Sequence, residues 1–513
     1  MARILHVIDS LSGAGPTRSL SASAQYLEKL GHRHEHAVIT LSRPNYPPAL
    51  VRARQANITV YQAPGKSSVR KLIEASDLVE LHYWHSPATV GFLAETWPPH
   101  RRLAWFKILG RHSPQVLSPD LLGAFHAVMF SSGLSLELPA VQQACHLQGM
   151  AAVVPGLMEP GRLEGLAPEA HEGFVASYIG TTNATKMHPD YVAMSAMADI
   201  PDARFLVCGS GDPAELRAEA SRLGVTGKFE FRGYVENIRP VLAISDVFAY
   251  PLCEDTWATS EKSLQEAMLA GVPPIVFPHG GIAGIVRHGH TGLVVRTPRE
   301  YAQALEYLYH NPGERKRLGD NARSFVQEQF DGQSAARQME AIYQRLLHEP
   351  KRKVSPVLAG LSAAERFARF MLPADQRFEA SLHERNGRQA MAADRELAAS
   401  SMPAARGEGG IIQFRNACPE DPDLIGWSGL VQAGLGRWEP ALSEFSRALE
   451  LRPEHWRQAW YRAVAQCHAH TRDSAQGMIV RALSLAASAG MARPGIEHME
   501  FQASLDLPEL FVF

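Results

Sequence analysis

Twice along the chain a short, largely apolar run ends in a glycine-bearing turn and passes into a helical pattern. That succession leaves few folds open. The first copy is Ile4–Ile8, followed by Asp9, the Gly13-Ala-Gly15 turn and a helix with Leu20, Ala24, Leu27 and Leu30 on one face before Gly31. Further runs follow at Ala37–Leu41, Leu78–His82, Leu103–Trp105 and Ala127–Phe130. Strands apolar on both faces belong to parallel sheets covered on both sides by helices. The pattern restarts after the proline- and glycine-rich stretch Val154–Gly173. Its strands are expected at Phe174–Gly180, Ala203–Cys208, Phe229–Arg232, Val247–Tyr250 and Pro274–Phe277. Helices are expected at Pro189–Met197, at Ser260–Leu269 with a stop at Gly271, and at about Ser334–Leu347. The pattern predicts an α/β chain with two Rossmann-like domains, residues 1–165 and 166–348, facing one cleft.

The composition shifts after Glu349. Residues 349–410 read as a helical linker region, opening on Lys351-Arg-Lys and ending in a second Pro/Gly-rich break at Ser401–Gly410. Residues 411–513 read as all-helical repeats. Gly429, Ala441, Phe445, Ala448 and Pro453 correspond, 34 positions later, to Ala463, Ala475, Ile479, Ala482 and Ala487, the proline being missing from the second copy. Small residues return where two helices must touch and bulky apolar ones where the next helix packs, a pattern that resembles two tetratricopeptide repeats. That resemblance implies a protein partner or help in acceptor recruitment.

The 51 basic and 53 acidic side chains give a net charge of −2, which excludes a global nucleic-acid footprint. Five scattered cysteines, never spaced as CxxC, disfavour a zinc knuckle or a disulfide framework and fit a reducing compartment. The N-terminal apolar run is too short for a signal peptide, and no stretch approaches the roughly 18 apolar residues of a membrane helix. A cytoplasmic protein is expected, with peripheral contact at the inner face of a membrane left open.

The segment Asp255-Thr-Trp-Ala-Thr-Ser-Glu-Lys-Ser-Leu-Gln-Glu-Ala-Met-Leu-Ala-Gly-Val-Pro, followed by Gly280-Gly281-Ile282 and His290-Thr-Gly, resembles the nucleotide-sugar half of family 4 retaining glycosyltransferases of the GT-B fold. Ile179-Gly-Thr-Thr-Asn-Ala-Thr-Lys186, Val207-Cys-Gly-Ser-Gly211 and Phe231-Arg-Gly-Tyr-Val-Glu agree with it, as does the N-terminal glycine loop. The resemblance spans about residues 1 to 348. It implies transfer of a sugar from a nucleoside-diphosphate sugar to a glycan, lipid-linked or small glycoside acceptor, with no cofactor. Lys186 would stabilise the leaving diphosphate and Glu266, at a helix start, would hold the ribose. Backbone at Gly13, Gly15, Gly280, Gly281 and Ile282 would approach the phosphates. Thr181, Gly211, Arg232, Gly233 and Tyr234 would complete the donor side. Lys107, where a histidine is expected, and His112 nearby would serve the acceptor side. No cluster with metal-ligand spacing is visible, so a metal-independent reaction is expected.

Besides Lys107, three positions depart from the resemblance. Ala258 stands where the family's first glutamate falls, leaving Glu254 or Glu261 as substitutes. Thr181 stands for an arginine and Gly284 for a glutamate. These departures keep a second reading open, a catalytically attenuated GT-B protein acting as a scaffold. A third and weaker reading is a GT-B epimerase or phosphorylase; a phosphorylase needs a dedicated inorganic-phosphate or pyridoxal site, and no lysine context demands one. The alternation His32/His34/His36, with Arg33 and Glu35 between, reads as a solvated face. His82 and His85, near a strand end, read as acceptor-side candidates.

Overall fold

The computed structural model describes residues 1–489 apart from residues 14, 160, 184, 355–357, 371–376, 383–386 and 400–408. The middle of the Gly13–Gly15 turn and most of the break at 401–410 lie outside the described residues. The chain divides into two units, one of residues 1–84, 96–115 and 122–355, the other of residues 85–95, 116–121 and 356–513.

The first unit contains two parallel sheets. One has seven strands: β1 (Arg3–Ile8), β2 (Glu35–Thr40), β3 (Ile58–Gln62), β4 (Leu78–Tyr83), β5 (Arg102–Phe106), β6 (Ala127–Phe130) and β7 (Ala151–Val153), in the order β3-β2-β1-β4-β5-β6-β7. The other has six: β8 (Phe174–Ile179), β9 (Ala203–Cys208), β10 (Phe229–Gly233), β11 (Val247–Tyr250), β12 (Pro274–Val276) and β13 (Leu293–Val294), in the order β10-β9-β8-β11-β12-β13. These are two Rossmann-like domains, as the pattern of apolar runs predicts. Strands β4 and β5 are buried at every position, which is why they lack polar alternation. In each sheet the order reverses beside the first strand, between β1 and β4 and between β8 and β11. Open α/β sheets bind ligands outside the carboxyl ends of the strands at such points, where the Gly13 and Gly180 turns lie.

The helix Gly15–Lys29 buries Leu20 and Ala24 against Ile8, Val38 and Ile58. The helix Gly332–His348 follows the second domain in the chain but packs on the first. Its Met339, Ile342, Tyr343 and Leu346 join Leu103, Trp105 and Met129 in one core. Truncating a buried Met or Ile to Ala typically costs about 2–5 kcal/mol, so this return helix is structurally part of the first domain.

The second unit is helical. Among its described elements are Pro87–Ala94, Ala363–Arg369, Ile411–Ala417, Pro422–Gly434, Trp438–Leu451, Trp456–Ala469 and Arg472–Ser488. The last four form two helix pairs whose starts repeat after 34 residues, Pro422 to Trp456 and Trp438 to Arg472. Gly429 shows why small residues recur there: a Cβ on it would stand 2.5 Å from the Phe445 ring. Phe367, Phe378 and Trp427 form an aromatic cluster beside Phe414. His85 is buried in this unit, its Nδ1 3.1 Å from the Gly409 carbonyl and its ring stacked on Phe414. It therefore does not line the acceptor side of a cleft, as its strand-end position suggested. No described helix is long and apolar enough to cross a membrane.

Candidate functional site

The two Rossmann-like domains meet along the carboxyl ends of their strands. The Leu109 N–H donates to the Trp257 carbonyl at 2.9 Å and the Gly156 N–H to Ser260 Oγ at 2.9 Å. The Thr259 hydroxyl donates to the Lys107 carbonyl at 3.3 Å. Arg18, from the first turn of the helix after the glycine loop, reaches Glu159 at 2.6 Å and Glu236 at 2.8 Å. Arg52 reaches Glu236 at 2.7 Å. Burial lowers the Arg18 guanidinium, but Tyr234 and Glu159 outweigh it and raise it further into its charged range. Glu236 is drawn the other way: burial raises it, yet Arg52, Tyr234 and Arg18 hold it at about 2. A cavity of about 580 Å³ opens beside this network, lined in part by Arg18, Arg52, Glu159, Arg162 and Glu236.

Lys262 is the least satisfied cation of the cleft. It is the first residue of the helix Lys262–Leu269, and its Nζ is buried with no hydrogen-bond partner. A Cβ on Gly15 would stand 3.7 Å from Lys262 Cδ, and one on Gly156 would stand 3.4 Å from its Cε. The glycine turn and the Gly156 stretch of the first domain thus roof the lysine of the second. Burial holds the ammonium well below the ordinary lysine range. Glu266 opposes that shift, while Lys107 and Arg18 add to it. An unpaired buried donor is costly, while the neighbouring Arg18 and Arg162 are themselves paired with Glu159, Glu236 and Glu266. Lys262, Arg18 and Arg162 were not singled out in the sequence. The one signal available for Lys262 was its place at the start of the helix that carries Glu266.

The residues singled out in the sequence fare differently. Lys186 and Glu261 are brought together, Nζ to Oε2 at 2.8 Å, with the Tyr250 hydroxyl donating to the same carboxylate at 2.5 Å. Burial lowers Lys186, but Glu261 more than compensates and raises it. Glu261 is correspondingly lowered by Lys186 against its own burial. Glu261 caps the helix at φ +25°, a strained setting for a side chain of its size. Glu266 is the fifth residue of that helix, not its start, and Arg162 Nε holds its buried carboxylate at 2.7 Å. Burial raises the Glu266 carboxyl, with Arg162 and Lys262 pulling it down.

Tyr234 donates to the Gly13 carbonyl at 3.2 Å, so the glycine loop does meet the second domain. Arg232 is paired on the surface with Glu230 of its own strand at 2.8 Å. Gly233 turns the chain at φ +66° after that strand. The Thr181 carbonyl accepts from Tyr178 at 2.7 Å. Gly211 and Glu254 are exposed. His112 lies at the edge, 3.9 Å from Asp255. The Gly280–Gly281 pair is packed rather than open. The Gly281 N–H donates to the Ala258 carbonyl at 2.9 Å, and a Cβ on Gly281 would stand 2.1 Å from the Thr259 oxygen. Ile282 is fully buried in the core of the second domain, so its side chain does not line a donor site.

Lys107 follows the last residue of β5 and lies 3.8 Å over the Trp105 ring, its Nζ 2.6 Å from His82 Nδ1. Burial pushes it down to about 7, with Glu80 opposing. His82 is buried and not at the surface of the cleft. The expected solvated histidine face is also overturned. His36 is buried against His6, and His34 reaches Glu340 at 2.8 Å, while Glu35 points outward to Arg3.

Residues 174–311 match the family model described as glycosyl transferases group 1. N-acetyl-alpha-D-glucosaminyl L-malate synthase of Bacillus anthracis is 30% identical over 154 residues, 29% of this chain and 39% of that protein. The 2-deoxystreptamine glucosyltransferase of Streptomyces kanamyceticus is 26% identical over 234 residues, 42% of this chain and 58% of that protein. The chain spans between 30% and 50% of the length of the first three curated relatives it matches. The solved structure of Anabaena HepE in complex with UDP and glucose superposes with a TM-score of 0.54 at 17% identity, over 67% of this chain and all of that chain. That likeness shows the fold: two Rossmann-like domains arranged as in GT-B proteins.

Proposed function

We propose that the first unit is a glycosyltransferase that takes a nucleoside-diphosphate sugar as donor and a glycan, lipid-linked or small glycoside as acceptor. The observation that carries this reading is the buried Lys262 amine, which has no hydrogen-bond partner and would be held as a cation by an anion seated on it, under the glycine turn at the meeting of the two domains. Departure of a nucleoside diphosphate builds negative charge, which a preorganised cation in a water-poor site stabilises. Lys262 takes the place of the cation that Thr181 lacks, with Lys186 locked to Glu261 beside it. The match to group 1 glycosyl transferases and the UDP and glucose in the HepE complex support the donor class. Retention of configuration, a hexosyl donor and a metal-independent transfer follow from the family 4 resemblance. In that reaction the acceptor hydroxyl attacks from the face the diphosphate leaves, and the phosphate takes its proton. The 34-residue helix pairs serve as tetratricopeptide-like repeats that recruit a protein partner or the acceptor.

Thermal unfolding with UDP-, GDP- and ADP-sugars tests the reading, since a ligand of the native state must raise Tm. One nucleotide class is expected to raise it. Lys262→Ala is expected to weaken that binding about 10- to 100-fold, the worth of a hydrogen bond to a charged group. No shift with any nucleotide sugar in the folded wild type sinks the proposal. The pre-paired Lys186–Glu261 and Glu266–Arg162 contacts favour a second reading, an attenuated scaffold. Donor binding without turnover or donor hydrolysis in the presence of candidate acceptors selects that one.

A further inference from the structure

The first domain carries a polar cluster that donor binding does not explain. His6 on β1 and Glu80 on β4 are register partners, and His82 follows Glu80 by two positions on the same face. All three are buried, at 0%, 0% and 3% exposure. Their inward atoms converge. His6 Nδ1 lies 3.1 Å and Glu80 Oε1 3.4 Å from His82 Nε2, while the other carboxylate oxygen, Oε2, is 3.8 Å from His6 Nδ1. The donor atoms of the three lie within 4.8 Å of one another.

We propose that His6, Glu80 and His82 bind one divalent transition-metal ion of the zinc class in the core of the first domain. Bonds of about 2.0–2.2 Å at tetrahedral angles place donor atoms roughly 3.3–3.5 Å apart, close to the spacings here. Two imidazoles and one carboxylate suit borderline ions such as Zn²⁺ or Co²⁺ rather than Mg²⁺ or Ca²⁺. Glu80 Oε1 points the same way. It is fully buried and accepts no hydrogen bond, a costly state for a carboxylate oxygen unless a cation sits on it. The outward atoms are held as the ligands of a metal are held. His6 Nε2 is 2.9 Å from His36 Nδ1, and Glu80 Oε2 accepts from the Tyr343 hydroxyl. His82 Nδ1 is 2.6 Å from Lys107 Nζ. Without an ion, His6 and His82 can share one proton between them, but Glu80 Oε1, 3.4 Å from His82 Nε2, still accepts no hydrogen bond. Through His82 the ion would position Lys107, which follows β5 at the cleft. The site does not depend on the proposed transferase activity.

Metal analysis of the untagged protein tests this. Wild type grown with zinc is expected to carry about one equivalent. After removal by chelator, Co²⁺ is expected to restore one equivalent with the intense visible bands of a four-coordinate site, and Zn²⁺ to raise Tm. Glu80→Gln and His82→Asn are expected to lower the affinity more than tenfold. Tyr343→Phe and His36→Asn, which leave the ligands in place, are expected to lower it about 10- to 100-fold. Uptake of less than a tenth of an equivalent of either ion by folded wild type overturns the proposal. So does an equivalent that Glu80→Gln and His82→Asn retain unchanged, since that ion sits on surface histidines. The wild-type stoichiometry decides the matter even where a variant fails to fold.

Discussion

At Gly281 a side chain has nowhere to go, because a Cβ would stand 2.1 Å from the Thr259 oxygen. Gly284, three residues on, has nothing within 4 Å and no left-handed backbone. Gly281→Ala is therefore expected to cost about 1–3 kcal/mol, the usual cost of overpacking. Gly284→Ala should stay within about 0.5 kcal/mol. Urea unfolding of the two variants reads the difference, and equal losses would show that the loop 256–259 yields. The glycine pair was legible in the sequence as a special place, but its reason was not. It is shaped by packing, and the backbone donor at Gly281 is already spent on Ala258. Lys186 was legible as a cation, whereas its partner Glu261 was only one of two candidates. Lys262 was missed because a lysine in a first helical turn ordinarily points to water. Its burial comes from Gly15 and Gly156, which are 247 and 106 positions away in the chain.

The helix pairs of the second unit were readable from a 34-residue offset in small and bulky residues, since helix contact permits little else at those positions. What holds the preceding helices to them was not readable. Asp394 is buried and takes an ion pair from Arg457 and a hydrogen bond from Tyr461 at 2.7 Å. Ser381 binds Asp394 and accepts from Trp427 Nε1 at 2.8 Å. Removing one partner of a buried pair strands the other charge, at about 3–5 kcal/mol. Arg457→Met should therefore lower the unfolding midpoint of this unit sharply, as followed by circular dichroism. Asp394→Asn with Arg457→Met together should recover part of the loss, because no charge is then left alone. A double variant no better than the single one would argue that the pair contributes through its hydrogen bonds alone.

Across the whole molecule, buried neutral histidines set the acid limit of stability. Burial is the main reason that His85 and His100 are both pushed down to about 3, with a backbone carbonyl opposing in each case. Their unfolded forms take up a proton near pH 6.5. As pH falls below that value the unfolded chain binds protons that the native chain refuses, so stability is lost between about pH 6.5 and 3. Each histidine contributes up to about 1.4 kcal/mol per pH unit within that window. Urea midpoints should therefore fall from pH 7 to pH 5, before the ordinary carboxylates titrate. A flat profile over that range would mean that these rings become charged in the native state.

The chain's own pattern of apolar runs and glycine turns determined two parallel α/β domains and a helical tail, because burial on both faces of a sheet leaves no other economical arrangement of those residues. It also marked the segment from Asp255 to Gly281 as a candidate donor-binding segment. Only the tertiary structure decided which side chains are buried and unpaired. The alternation of His32, His34 and His36 cannot say which face meets the core; the return helix Gly332–His348 does, by laying Glu340 and Tyr343 over it. Likewise the cleft cations are chosen by the meeting of two domains, since charge burial depends on distances that no local spacing encodes.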